Sequence, residues 1–268
     1  MRAWQVTLSI LNSYQVQQVE DFHGNMVPEQ TPLSLGCLER AQCPHVSENL
    51  ETRIMDLSVF TLPAQPRMHF IAAVYSDAAI RVWLFDEVAN SFVLAIDASH
   101  HEKCILQVAH VQVEGGIMML TAATDGKISV WDLTSALDAF LFKYHLRTNK
   151  SVQPIRSFPG KNKAKVQKDF AQPLRSPLAE LMVHQSGVNS LSARNVGQGI
   201  VLTASGGDDN ALVVSQIQVS WDSIGRAIKI EAARVIARDS FAHGSAIQGM
   251  WRLCGFPSLI CLLQVGVH

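Results

Sequence analysis

The chain has 268 residues, 48% of them apolar, enough for one large all-β domain or two smaller ones with a sizeable core. Its 22 basic and 23 acidic residues nearly cancel, which excludes a global field drawing it to nucleic acid or an acidic membrane. Five scattered cysteines (Cys37, Cys43, Cys104, Cys254, Cys261) form no CxxC pair and no zinc-ligand spacing, so free thiols in a reducing compartment are expected. The amino terminus lacks a basic region followed by an apolar run and a cleavage site, and "SLICLLQVGV" is too short to span a bilayer. A soluble, cytoplasmic protein without membrane contact is expected.

In chain order, the recognisable units begin at about Glu51. The first gives candidate strands "RIMDLSVFTL", "HFIAAVY", "SDAAIRVWL" and "SFVLAIDAS". A second set follows as "CILQVAHVQV", "GIMMLTAA" and "TDGKISVWD", and a third as "GVNSLSARNV", "GIVLTASG" and "DDNALVVSQ". Each set contains a hairpin whose tight turn carries an Asp, with period-two alternation beyond it. Trp83 lies six residues after Asp77 and Trp131 six after Asp125, while Ser215 takes that position after Asp209. Recurrence at a fixed offset assigns these residues to structure rather than to acid–base catalysis. Units of about 40 residues built from four strands predict propeller blades.

Asp77 to Asp125 spans 48 residues, close to one blade, but Asp125 to Asp209 spans 84. The excess coincides with a basic stretch, Lys143, Arg147, Lys150, Arg156, Lys161, Lys163, Lys165, Lys168 and Arg175, which holds nine cations against the single acid Asp169. The rest of the chain keeps 13 basic against 22 acidic residues. Pro154, Pro159, Pro173 and Pro177 predict a long loop inserted between blades, over residues 135 to 180. With Phe142, Tyr144, Phe158 and Phe170 interleaved, the nine cations form a candidate RNA-binding segment in which charges track phosphates and rings stack on bases. A solvated insertion without a specific partner, or one that attracts an acidic protein, is the competing reading.

Other motifs point away from chemistry. Consecutive His100 and His101 on a strand would face opposite ways, so with Glu102 and Cys104 they make no zinc site. The pairs Gly115-Gly116 and Gly206-Gly207 lack the spacing of phosphate-binding loops and read as turn glycines. There is no GxSxG, no SxxK and no Gly-rich βα turn, so neither catalysis nor a bound cofactor is expected.

The three sets resemble WD repeats. That resemblance implies a hydrogen-bonded network of His, Asp, Ser or Thr, and Trp in each blade: His101 (or His100), Thr121, Asp125 and Trp131 in the middle unit. The first unit retains Asp77 and Trp83 but has Ala73 where the hydroxyl belongs. The third retains His184, Ser205 and Asp209 but lacks the Trp. "FAHGSAIQGM", with His243, is similar to the opening of a further blade.

The stretches "ETRIMDLSVFTL", "IAAVYSDAAIRVWLF", "HHEKCILQV", "AATDGKISVWDLTSALD" and "HQSGVNSLSARN" are more specifically similar to the WD-repeat regulator subunits of tRNA 2′-O-ribose methyltransferases. This implies an all-β, WD-repeat β-propeller. About three blades are recognisable, fewer than the roughly seven of a full WD propeller at about 40 residues each. An incomplete propeller is therefore expected, with residues 1–50 a remnant of a preceding blade and linker and residues 51–268 the partial propeller. The resemblance also implies a non-catalytic role, a tRNA 2′-O-methyltransferase and tRNA as partners, and modification at anticodon position 34 with the methyl donor held by the partner. A protein-binding scaffold or signalling adapter, with signalling proteins as partners and no RNA contact, is the alternative.

Overall fold

The computed structural model describes residues 51–150, 170–242 and 244, the side chains of 147–150 excepted, together with the backbone of six short strands elsewhere. The chain divides into two compact units, Met1–Pro44 and His45–His268. In the first unit β1 (Arg2–Val6) pairs antiparallel with β4 (Cys37–Gln42), and β2 (Gln17–Glu20) with β3 (Met26–Glu29).

The second unit contains three four-stranded antiparallel sheets. The first runs in sequence order through β5 (Ile54–Leu62), β6 (Gln65–Tyr75), β7 (Ala79–Asp86) and β8 (Ser91–Ser99). The second comprises β9 (Ile105–Val113), β10 (Gly116–Ala123), β11 (Lys127–Asp132) and, after helix α1 (Thr134–Lys150), β12 (Ala179–Met182). The third comprises β13 (Val188–Gly197), β14 (Ile200–Gly207), β15 (Leu212–Asp222) and β16 (Ala227–Asp239). A short pair, β17 (Trp251–Arg252) and β18 (Ile260–Cys261), completes the described elements.

Each of these sheets, four antiparallel strands in meander order, is a β-propeller blade. Their first strands are neighbours: Val108 N–H of β9 donates to Asp56 Oδ2 of β5 at 2.9 Å, and Asn195 of β13 donates to the Gln112 carbonyl of β9 at 2.9 Å. Between the first and second blades, Phe70, Val82, Leu84, Ile96 and Met119 are buried in one apolar cluster with Trp131. Between the second and third, Met118, Leu120, Val130, Val201, Val213 and Ile217 form another. Alternating strand residues serve the two faces, so both faces of the middle blade are apolar. Burying each such side chain contributes about 1.5–3 kcal/mol, which makes blade stacking the main cohesive force.

The recurring Asp has one role in all three hairpins. Asp77, Asp125 and Asp209 each accept, through Oδ1, the backbone N–H two residues on, from Ala79, Lys127 and Ala211 at 3.2, 3.1 and 3.2 Å. The residue between is left-handed every time: Ala78 (φ 62°), Gly126 (φ 82°) and Asn210 (φ 61°). A Cβ at Gly126 would strike the His184 carbonyl of the following segment, so glycine is required there.

The insertion differs from its sequence reading in two respects. It lies within the second blade, between β11 and β12, rather than between blades. Its first part is α1 and not a loop, because Leu137, Phe140, Leu141 and Tyr144 fall at helical spacing and are buried in the inter-blade core. Asp132 starts the helix by accepting the Thr134 N–H at 2.8 Å, and its other oxygen accepts the Ile228 N–H of β16 at 3.0 Å. The insertion returns along β8, where Gln172 bridges Ile96 in parallel and its N–H donates to the Ala95 carbonyl at 2.8 Å. Both ends are therefore anchored, and the outer edge of the first blade is partly paired.

Candidate functional site

In the middle blade, Trp131 Nε1 donates to Thr121 Oγ1 at 2.8 Å, and His101 Nε2 lies 2.8 Å from the same oxygen. Tryptophan can only donate, so the threonine hydroxyl is free to donate to Nε2 of a neutral His101. Burial, reinforced by His100, lowers the His101 pKa and favours that neutral form. Asp125 is not bonded to either histidine among the described residues, which departs from the network that the WD-repeat resemblance implies. Its Oδ1 is engaged by its own turn, while His100 faces Glu180 at 3.6 Å.

The third blade holds the fuller network. His184 bonds Asp209 Oδ1 through Nδ1 at 2.8 Å and Ser205 Oγ through Nε2 at 2.9 Å. Arg238 of β16 clamps the assembly, donating to Asp209 Oδ2 at 3.1 Å and to the Val183 carbonyl at 2.9 Å. Burial works to raise the Asp209 pKa, but the Gln185 N–H, the His184 ring and the Ala211 N–H together bring it below the usual carboxylate value. The order Ser-His-Asp is that of a hydrolytic triad, but Ser205 and His184 are 1% and 2% exposed, so the hydroxyl cannot reach a substrate. The arrangement is a structural lock. Ser215, where the template has Trp, is buried, and its hydroxyl has no hydrogen-bond partner among the described residues.

The first blade solves the missing hydroxyl at Ala73 with a residue that the sequence reading passed over. Tyr75 is on the same strand face two residues on, and Trp83 Nε1 donates to its hydroxyl at 3.1 Å. Arg81, 5% exposed, packs its guanidinium 4.5 Å from the Tyr75 ring centroid and lies 3.2 Å from both Asp77 and Asp97. An arginine between two carboxylates thus ties the turn of this hairpin to its outer strand. The available signal was an aromatic residue with a hydroxyl at the next position on the same face.

Of the candidate RNA-binding residues, Lys143 and Arg175 are exposed. Lys143 Nζ also donates to Gln172 Oε1 at 3.0 Å, closing the base of the insertion. Arg147 and Lys150 belong to α1, with side chains outside the described residues, as are Arg156, Lys161, Lys163, Lys165 and Lys168 altogether. The interleaved rings are not equivalent. Tyr144 is 1% exposed, and Phe170 packs edge-on to Phe140 at 5.5 Å, so neither is free to stack on a base. Phe142 is 68% exposed. Phe158 and His243 lie outside the described residues.

No group of three or more metal-ligating side chains occurs among the described residues. No described helix is long and apolar enough to cross a membrane.

No protein-family model matches the chain. It is 28% identical over 211 residues, 75% of its length, to the human tRNA (34-2'-O)-methyltransferase regulator WDR6. It is 29% identical over 186 residues to the Rattus norvegicus protein of that name. The chain spans 17% of the length of the human relative and 15% of the rat one. Among solved structures, a chain of the mitotic checkpoint complex superposes with a TM-score of 0.38 at 12% identity, covering 76% of this chain and 41% of that one.

Proposed function

We propose that this chain is a non-catalytic WD-repeat segment that helps a tRNA 2′-O-methyltransferase engage tRNA for ribose methylation at anticodon position 34. The similarity to the named methyltransferase regulators over three quarters of the chain carries this reading. The structure supports a positioning role in physical terms. Stacked blades make a stiff base, and the Lys143–Gln172 contact joins the two ends of the insertion that holds five further cations, Arg156 to Lys168. Cations displayed from a fixed stem hold phosphates without specifying sequence, and holding enzyme and substrate together lowers the entropic barrier to reaction. The methyl donor is bound by the partner, and the chain works in the cytoplasm with no cofactor of its own.

Co-purification from cells tests the reading. Both tRNA and a 2′-O-methyltransferase are expected with the chain, and recovering neither overturns it. Replacing Lys161, Lys163, Lys165 and Lys168 with Glu should weaken tRNA retention while leaving the methyltransferase bound. For about seven neutralised phosphates on a single strand, the log–log slope of affinity against salt is about −5. Unchanged tRNA retention by the variant removes the basic segment from the mechanism.

A further inference from the structure

Helix α1 has a second apolar stripe that the blade core does not use. Its inner face is spent on Leu137, Phe140, Leu141 and Tyr144, all buried. On the other side Phe142 and Leu146 are 68% and 46% exposed and lie one turn apart. Asp138, one turn before Phe142, is neutralised by Arg226 at 2.9 Å, which brings the β15–β16 hairpin against the helix. Two residues from Arg226, Ile224 is 96% exposed. An exposed apolar ridge on a helix already fixed by its opposite face is a preorganised docking element.

The charges around the ridge select its occupant. From residue 139 to residue 168 the sequence has no acid, and the exposed Lys143 directly follows Phe142 on the helix. The complementary surface therefore has an apolar floor and an acidic rim. RNA provides the charge but only part of the floor: Phe142 offers a ring for a base to stack on, whereas Leu146 and Ile224 have no π-face. A protein groove provides both, in the helix-in-groove mode with anchors at i and i+4.

We infer that the outward face of α1, with Phe142 and Leu146 as anchors, docks into an acid-rimmed apolar groove of the partner methyltransferase, while the cations after the helix are left for RNA. This rests on the function proposed above. It divides the insertion into a protein-binding helix and an RNA-binding segment.

The test titrates purified methyltransferase and, separately, tRNA against the chain and its Phe142→Asp, Leu146→Asp double variant. A milder pair, Phe142→Ser with Leu146→Ser, is carried in parallel, and an unchanged melting midpoint shows that the fold is intact. Methyltransferase affinity is expected to fall roughly thirtyfold, as for loss of a central anchor, with tRNA affinity unchanged. Undiminished methyltransferase binding by both folded variants overturns the inference and leaves the proposed function standing. Loss of tRNA binding alone makes the ridge an RNA surface and also overturns it. If the unmodified chain binds no methyltransferase, the proposed function falls and this inference with it.

Discussion

The hydroxyl of Tyr144 donates to Asp86 Oδ2 at 2.7 Å, a buried bond between the inserted helix of the second blade and the third strand of the first. The other carboxylate oxygen of Asp86 accepts the N–H groups of Val88 and Ala89 at 2.8 and 3.0 Å. One aspartate thus closes its own hairpin and holds α1, so the helix is attached to both blades.

Tyr144→Phe keeps the ring packed but leaves Asp86 Oδ2 without its donor. A loss of about 1–3 kcal/mol is expected in urea unfolding. Burial, and then the bond to Asp86, raise the Tyr144 pKa well above the usual tyrosine value. The folded state therefore holds its proton longer than the unfolded chain, so this contribution is complete below about pH 10 and declines as pH rises above it. The decline should be smaller in the Phe variant.

A residue in the left-handed region costs less as glycine. Ala78 has φ 62° where the middle blade has Gly126, and its N–H donates to the Tyr75 carbonyl at 3.1 Å as part of the turn. Ala78→Gly removes the Cβ clash without removing that bond, and should stabilise by about 1 kcal/mol. The melting midpoint reports it, and a fall in that midpoint would contradict the strain assigned to Ala78.

The hairpins were legible in the sequence because three turns repeat the same local solution: an Asp that caps, a residue able to turn left-handed, and alternating apolar strands. Helix α1 was obscured by its surroundings. Charge and proline content dominate residues 143–175, although the spacing of Leu137, Phe140, Leu141 and Tyr144 already marked one apolar helical face. Strand β16 gave a weak signal because most of its outer half, Glu231 to Asp239, is exposed and mixes charges with apolar residues. Tyr75 was hidden because the missing hydroxyl returned from another position on the strand, which a fixed template does not search. The anchoring of Gln172 on β8 is a tertiary contact that no local pattern announces.

Thr121 receives two partners, so its loss is felt twice. Thr121→Val preserves shape but strands the buried Trp131 N–H and removes the His101 contact, at a cost of about 1–3 kcal/mol. His101 and His110 both have pKa values lowered by burial. For each, the unfolded chain binds a proton more readily, so stability is complete above about pH 6.5 and falls as pH drops from there toward the folded value. His110 matters because its Nδ1 meets Ser58 Oγ at 2.7 Å across the first and second blades. Replacing His110 with Asn should flatten the acid limb of a pH–stability curve between pH 6.5 and the lower folded value, and an unaltered limb would assign the titration to other groups.

Asp209 is the shared acceptor of the third lock, bonded to His184, Arg238 and the backbone N–H groups of Gln185 and Ala211. Asp209→Asn keeps the shape and an acceptor oxygen but removes the charge and turns one donor-facing oxygen into an amide. Arg238 is partly solvated, so its contribution is screened, and most of the loss falls on the buried His184 side. A destabilisation of about 3 kcal/mol is expected. The carboxylate has a lowered pKa in the fold, so its contribution is present above about pH 3.9 and is lost as pH falls toward the folded value. The Asn variant should lack that acid-dependent component. Because the lock joins the segment before β13 to the ends of β14 and β16, hydrogen exchange should quicken first in the third blade. Uniform quickening through all three blades would show that they unfold as one unit.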